Sequence, residues 1–415
     1  MKYIYLILAS FLLISCSTTN PVSYSFDTNI GILMHPKFKI YHNQDSLSKV
    51  FFQLSTDEVL YTRNNRNQPF KAALTIKYSV FQNNSKTLLD SGSLFIVDEY
   101  NSVKSQFIDT SFSFSFDLNQ KGYIIFNLMD DNRSRNISKK LFIDKTDFTN
   151  KQFFIVRDSL GEPFYSDYFM SNQSIFISSI YHKDKPLYAL INNYDFPLPF
   201  PPFSKVFLPS FPKSTSASKE LIFDKNNSFK YTFPEEGFVY FQSDTLSSKG
   251  FPLFNFNKDY PYVKNISALI PPLRYITTRE EYELINNESN PKKAVDKFWL
   301  SKASSNERAR TLIRTYYSRV QLANELFTSH CEGWRTDRGL ISIIFGPPNF
   351  VRNNKYQETW IYGNEHNSNT IRFIFEKMEN PFSENDYVLK RNYAYKSPWY
   401  VAVESWRNGK VYWVQ

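Results

Sequence analysis

Three places in this 415-residue chain carry side chains that could do chemistry. Leu13-Ile14-Ser15-Cys16, behind a basic start and an apolar run, looks like a lipobox, at which the chain is cut before Cys16 and the thiol is lipidated. His330-Cys331 sets an imidazole beside a thiol, the groups from which a nucleophile or a metal ligand is made. Asp337, between Arg335 and Arg338, offers a carboxylate for acid–base work and two guanidinium groups for an anion. Only the first keeps its chemistry when spacing is weighed. Cys–His dyads are assembled in space rather than from neighbours in sequence, so Cys331 reads as a buried, idle thiol. Asp337 lacks a partner spaced to share a proton, His330 being the sole candidate, so the stretch around it reads as a structural turn or binding surface. No GxSxG, P-loop, GxGxxG or HExxH occurs, and His35, His42, His182, His330 and His366 are too dispersed to suggest a metal site. The expectation is no catalytic residue, no metal and no small-molecule cofactor.

The elements around Asp337 are more telling. Gly333, Trp334, Arg335, Thr336, Asp337, Arg338 and Gly339 form a glycine-bracketed polar turn in which either glycine suits φ > 0. Thr336 and Asp337 are types that bond backbone amides in tight turns. Trp334 is placed against the preceding helix, near Tyr316, Val320 or Ala323. Leu340 to Ile344 is apolar on both faces and is read as a strand in a covered sheet, ended by Gly346, Pro347 and Pro348. Upstream, Thr278 with Glu281 makes a capping box, Asn290-Pro291 opens a second helix, and a third begins near Ser305. Its apolar stripe is Ala309, Leu312, Ile313, Tyr316, Val320, Ala323 and Phe327, with Arg308, Arg310, Arg314 and Arg319 on a solvated face. Downstream, strands are expected at Thr359–Tyr362, Thr370–Phe375, Tyr387–Lys390 and Trp399–Val403, with an edge strand at Val411–Val414.

The stretch Gly333 to Pro348 resembles the signature of the GWxTD-domain proteins. Phe298-Trp299, Asn306-Glu307-Arg308, Tyr316 to Val320 and Ala323 to Phe327 resemble the lead-in helices of that family, and Glu358 to Tyr362 its next strand. The resemblance covers roughly the last 150 residues, a domain's length. Where family members carry an acidic, Arg-containing segment after the Phe-Trp pair, this chain has Leu300-Ser301-Lys302-Ala303. The resemblance implies an outer-membrane lipoprotein of the Bacteroidota type and brings no catalytic residues with it.

Ahead of that domain the pattern is β. Phe112-Ser113-Phe114-Ser115-Phe116 alternates with period 2, and about seven short strands between 35 and 147 suggest an immunoglobulin-like sandwich. A second, looser sandwich is expected over 148–258. It is interrupted at 196–213 by a Pro/Phe-rich excursion that cannot enter a ladder. There Phe196, Phe200, Phe203, Phe207 and Phe211 either pack back on their own sandwich or form an apolar docking strip for a partner. Aromatics make up 18% of the residues, 40 Phe and 28 Tyr among them, which suits pleated, half-buried surfaces.

The whole is read as multidomain and β-rich: signal peptide 1–15, tether 16–34, two immunoglobulin-like sandwiches, Pro-rich linker 259–275, and an α+β domain over 276–415 with helices on an antiparallel sheet. Net charge is +9; removal of residues 1–15 takes Lys2 and leaves +8. The basic residues are scattered, so nucleic-acid binding is not indicated. The partners expected are a membrane, through the N-terminal lipid, and another envelope protein. The functional expectation is a non-enzymatic lipoprotein on the periplasmic face of the outer membrane, an accessory or scaffold subunit of an assembly, secretion or transport complex. The alternative is a cell-wall or polysaccharide binding protein or hydrolase.

Overall fold

The computed structural model describes residues 22–25, 34–83, 87–100, 106–169, 173–182, 186–192, 196–205, 218–221, 228–232, 237–243, 250–257, 259–353, 356–364, 370–380 and 382–413. Cys16, the signal segment, Phe207 and Phe211 lie outside them. The architecture is β-rich, with several antiparallel sheets and a C-terminal helical region.

A first strand, β1 (Val22–Ser25), lies within the stretch expected to be a structureless tether; it pairs far along the chain, as described below. The first β unit then forms two sheets. One holds β2 (Lys37–His42), β3 (Leu47–Ser55) and β6 (Phe107–Ser115) in the order β2-β3-β6. The other holds β4 (Lys71–Gln82), β5 (Leu88–Glu99), β7 (Lys121–Asp130) and β8 (Arg135–Asp144) in the order β5-β4-β7-β8. Alternation aims one side of each strand inward, so Val50, Phe52 and Phe114 from one sheet meet Leu74, Ile76, Ile124 and Phe126 from the other in one core. Phe112, Phe114 and Phe116 take the inner face as the Phe/Ser alternation requires. The turn after β7 is keyed by Asp130, whose carboxylate accepts from Asn132 N, Arg133 N and Leu60 N.

Val50-Phe51-Phe52 breaks the alternation because that sheet is covered on both sides. Phe51 and Tyr41 face outward onto Ile155 and Tyr165 of the second unit. Lys39 Nζ donates to Phe164 O at 2.7 Å, Tyr165 Oη to Phe52 O at 3.1 Å, and Tyr181 Oη to Asp45 at 2.9 Å. Lys145, fully buried, ties the end of β8 to the β2–β3 turn by donating to Gln44 O, Asp45 O, Leu47 O and Phe116 O at 2.6–3.0 Å.

The second unit again has two sheets. β9 (Ile155–Arg157), β10 (Ser174–Ser178) and β13 (Ser228–Thr232) form one. β11 (Leu187–Asn192), β12 (Ser218–Leu221), β14 (Gly237–Gln242) and β15 (Phe251–Asn255) form the other. Ile175, Ile177, Val239, Phe241 and Leu253 fill the space between them. The outer face of β14 and β15 is buried as well: Phe238, Tyr240 and Phe254 pack on Cys331 and Phe382 of the C-terminal region.

That region opens with α1 (Ile266–Leu269) and a short 3-10 turn at Pro271–Tyr275. The stretch expected as a linker thus supplies Ile270, Leu273 and Tyr275 to the C-terminal core. α2 (Arg279–Asn286) carries the capping box, with Glu281 N on Thr278 Oγ1 at 3.2 Å and Thr278 N on Glu281 Oε2 at 2.9 Å. α3 (Pro291–Lys302) is capped by Asn290 and α4 (Asn306–Phe327) by Ser305. Arg319 is not on the solvated face of α4; it is buried.

Next comes α5 (Asp337–Phe345), where a strand had been expected, and every one of its residues is buried. A helix buried all round shows no polar stripe, so its apolar run is indistinguishable from a covered strand; Thr336 as N-cap decides. β16 (Phe350–Asn353), β17 (Gln357–Tyr362), β18 (Ile371–Lys377) and β19 (Tyr387–Leu389) complete an antiparallel sheet in the order β1-β16-β17-β18-β19, with β1 on its edge against β16. Trp399–Val403, also expected as a strand, lies in α6 (Lys396–Arg407). Pro398 falls in the first turn, where the amides lack helical partners and proline is tolerated. The described part of Val411–Val414 runs on from α6 without joining the sheet.

Candidate functional site

The signature begins where α4 ends. Gly333–Arg335 is a 3-10 turn pressed so closely on α4 that a Cβ on Gly333 would stand 1.9 Å from Ala323 O. One on Gly339 would stand 2.0 Å from Gly333 O. Both glycines are required for close approach rather than for a left-handed backbone; that conformation falls to Gly346, with φ +82, after α5. Asn324 holds the turn by accepting from Trp334 N at 3.1 Å and donating to Pro261 O at 3.0 Å. Tyr275 Oη donates to Trp334 O at 2.8 Å, and Tyr260 Oη accepts from Gly333 N at 3.1 Å. Trp334 is 8% exposed and shares one core with Tyr316, Val320 and Ala323.

Thr336 does local capping: its Oγ1 accepts from Gly339 N at 3.0 Å and donates to Gly333 O at 2.8 Å. Asp337 was expected to accept amides of the turn. Instead it reaches across to the strand edge, accepting Leu389 N at 2.8 Å and both Nη atoms of Arg391 at 2.9 and 2.6 Å. Its charge also lies at the N-terminus of α5, where the helix dipole favours it. Arg338 points the other way, to Glu358 at 3.1 Å and Asn385 O at 2.8 Å, under the Tyr387 ring. Trp360 Nε1 donates to the same Glu358 at 2.5 Å. At the far end of α5 the Arg319 guanidinium donates to Ile343 O, Ile344 O and Tyr412 O at 3.1–3.3 Å, while Trp406 Nε1 donates to Ile344 O at 3.0 Å. Burial brings the Arg319 pKa down to about 10, still charged at neutral pH. Gly346 packs against that guanidinium, and its carbonyl accepts from Tyr362 Oη at 2.8 Å.

Arg335 belongs to a different contact. It pairs with Glu332 and donates to Phe196 O, the first carbonyl of the Pro/Phe-rich excursion. Phe196 is buried, its ring 4.5 Å from His330 at 71°. Further along, Arg391 donates to Phe200 O at 3.1 Å and Asn392 N to Pro202 O at 3.1 Å. The Phe203 ring lies 5.6 Å from Tyr400, and Phe200 is 52% exposed. The excursion therefore keeps Phe196 clustered with Leu190, Phe238 and Tyr240 of its own sheet and runs on from there across the signature. Pro347 and Pro348 follow α5 and lead into β16.

The His330-Cys331 neighbours are kept apart in role. Cys331 is buried among Phe196, Phe238 and Phe382, and burial pushes its thiol well above the usual range. The His330 Nδ1 meets Asn380 Nδ2 at 2.8 Å, and Asn380 Nδ2 also meets Asp386 at 2.8 Å. Burial lowers the pKa of His330 against the pull of Asp386. Among the described residues no group of three His, Cys, Asp or Glu is placed to hold a metal ion. Of the residues that complete the site, Asn324 and Glu358 fall in stretches that resemble the family's, whereas Arg391 and Tyr260 carry no signal in sequence, each being joined to the signature only by folding.

No curated protein matches the chain. Among solved structures, Bacteroides uniformis β-glucuronidase aligns at 10% identity over 34% of this chain and 16% of its own, with a TM-score of 0.18. Red sea bream transglutaminase aligns at 8% identity over 54% of this chain and 31% of its own, again at 0.18. The chain thus spans under a third of either relative's length, and scores of that size do not amount to a shared fold. What does match is a family model: residues 237–408, from β14 through the signature to the end of α6, match the GWxTD domain.

Proposed function

We propose that the protein is a non-enzymatic outer-membrane lipoprotein of a Bacteroidota-type envelope, lipidated at Cys16 and facing the periplasm, whose two immunoglobulin-like sandwiches support a GWxTD domain that docks another envelope protein. In this reading it is an accessory or scaffold subunit of an assembly, secretion or transport complex. The observation that carries the non-enzymatic part is the employment of Asp337. Three hydrogen bonds, from both Nη atoms of Arg391 and from Leu389 N, fall on its two oxygens, and Arg391 matches its charge, so the carboxylate is held as a structural anion rather than set up as a base. The docking part rests on aromatic surface left open beside the signature, with Phe200, Tyr393 and Tyr400 each at least half exposed. Extraction in mild detergent followed by mass spectrometry of co-eluting proteins tests it. A stoichiometric envelope partner is expected; a clean monomer would sink the docking reading, and an unmodified Cys16 would sink the anchor.

The second reading, a polysaccharide-binding protein or hydrolase, draws on those same exposed aromatics, which could stack on sugars. Trp399 and Trp406 do not join them, being buried. Glycan-array binding that disappears in Tyr393→Ala would favour it.

A further inference from the structure

Residues 196–205 are a proline-rich segment, without regular structure to Pro201 and then closed by a turn in which Ser204 N donates to Pro201 O at 3.0 Å, seated on a domain to which they do not belong in sequence. Three carbonyls, those of Phe196, Phe200 and Pro202, accept from Arg335, Arg391 and Asn392 N. Two rings are held, Phe196 on His330 and Phe203 on Tyr400, while Phe200 between them stands half in solvent. Ahead of that turn the prolines leave few amides to bond within the segment, so its carbonyls are open to outside donors, and its pre-set shape loses little entropy on docking. We propose that the face formed by His330, Arg335, Arg391, Asn392 and Tyr400 is a receptor groove for uncharged proline–aromatic peptides. Residues 196–205 are its resident occupant, exchanged for a partner segment of the same chemistry. The proposal rests on the docking reading above and names the chemistry of the partner.

Charge decides the class of ligand. The two arginines would draw an acidic peptide if they were unneutralised, but Arg335 is paired with Glu332 and Arg391 with Asp337. What they still offer is N–H geometry, which a neutral carbonyl satisfies. The occupant agrees: from Phe196 to Ser204 it carries no charged side chain, and Lys205 adds one cation only at its end. Seating in cis also sets the condition for exchange. A tethered segment competes at an effective concentration on the order of millimolar, so a free peptide of micromolar affinity is largely excluded until the resident is loosened.

The test uses the full mature chain with the strap loosened by Phe196→Ala and Phe203→Ala, and a fluorescein-labelled synthetic peptide of residues 196–205 read by anisotropy. Saturable binding is expected, about tenfold or more tighter than to the unaltered chain, whose groove is filled. Adding Tyr400→Ala, a half-exposed position whose loss leaves the core intact, should weaken binding several-fold; Arg391→Met should weaken it further. Circular dichroism and melting curves confirm that each variant is folded. No binding to a folded, loosened chain overturns the proposal, as does tighter binding of a glutamate-substituted peptide or indifference to Tyr400→Ala. A stoichiometric partner in the detergent extract without peptide binding removes this proposal alone. Peptide binding with no co-purifying protein removes the docking reading alone.

Discussion

Asp337 joins three things at once: the N-terminus of α5, the backbone of β19 and, through Arg391, the carbonyl of Phe200. Asp337→Asn leaves Arg391 without its charge partner. It should cost about 2–3 kcal/mol, somewhat under the cost of breaking a fully buried pair because Arg391 keeps some solvent. Denaturant titration reads it, and a loss under 1 kcal/mol would mean that the pair contributes little. Gly339→Ala should be at least as damaging, since a Cβ 2.0 Å from Gly333 O forces backbone apart. Trp334→Ala should cost about 3–5 kcal/mol as a core truncation. An unchanged melting temperature with lost partner capture would instead mark it as a docking residue. Away from the signature, His42 is buried between Ser48 Oγ at 2.9 Å and Gln152 Oε1 at 3.0 Å. Burial, then the charge of Lys145, lowers its pKa to about 4. The unfolded chain therefore takes up this proton first, and the stability it supports is whole above pH 6.5 and lost as pH falls from 6.5 to 4. The loss is about 3 kcal/mol on the usual conversion of pKa shifts. A His42→Asn chain should lack that slope; an unchanged slope would place the titration elsewhere.

Among the elements, the helix caps were legible because each is written within a few residues: Thr278 with Glu281, Asn290 before Pro291, Ser305 before α4. The type of α5 was not, because its C-terminal carbonyls are completed from a distance. Arg319, 18 positions upstream of the start of α5, and Trp406, far downstream, satisfy its last carbonyls. Only a helix with partners at both ends can be buried entirely, and those partners are set by the fold. The same reason hid Arg391 and sent Asp337 to the wrong acceptors. Phe112 to Phe116, by contrast, needed no distant help to be read as a strand. Glu281 shows a local signal with a long reach. Besides capping α2 it accepts Lys302 at 2.8 Å and Arg407 at 2.6 Å, tying α2, α3 and α6 together. Burial opposes its ionisation, but the hydrogen bonds from Arg407, Lys302 and Thr278 outweigh it and hold the pKa at about 2. The stability it adds is present above the ordinary glutamate range and lost as pH falls from about 4.5 toward 2. Glu281→Gln should cost about 1 kcal/mol at neutral pH, solvent screening having reduced the rest, and nothing near pH 2. A penalty that persists at pH 2 would contradict the clamp.

At the scale of the molecule, the faces expected to be outer surfaces of separate domains are shared. β14 and β15 face Phe382 and Cys331, and Tyr41 and Phe51 face Ile155. A fragment of residues 276–415 should therefore fail to show a native cooperative transition, because it leaves the Cys331–Phe382 face bare. Its Cys331 should react rapidly with a thiol reagent that leaves the intact chain's thiol untouched. A well-folded fragment with a protected thiol would show that the domain stands alone. This sharing also explains the unbroken apolar runs of β3 and β14, where alternation fails because neither face meets water.

The junction between the two β units has a mechanical meaning. Joints that bend have few contacts and loose linkers. This one has an apolar seam at Tyr41, Phe51 and Ile155, Lys39 bonded to the Phe164 carbonyl, and Lys145 locking the adjoining turn. Such a seam resists bending between the two units, and the second is in turn seated, through Phe238 and Tyr240, on Cys331 and Phe382 beside the signature, so the order of contacts along the chain is that of a braced strut.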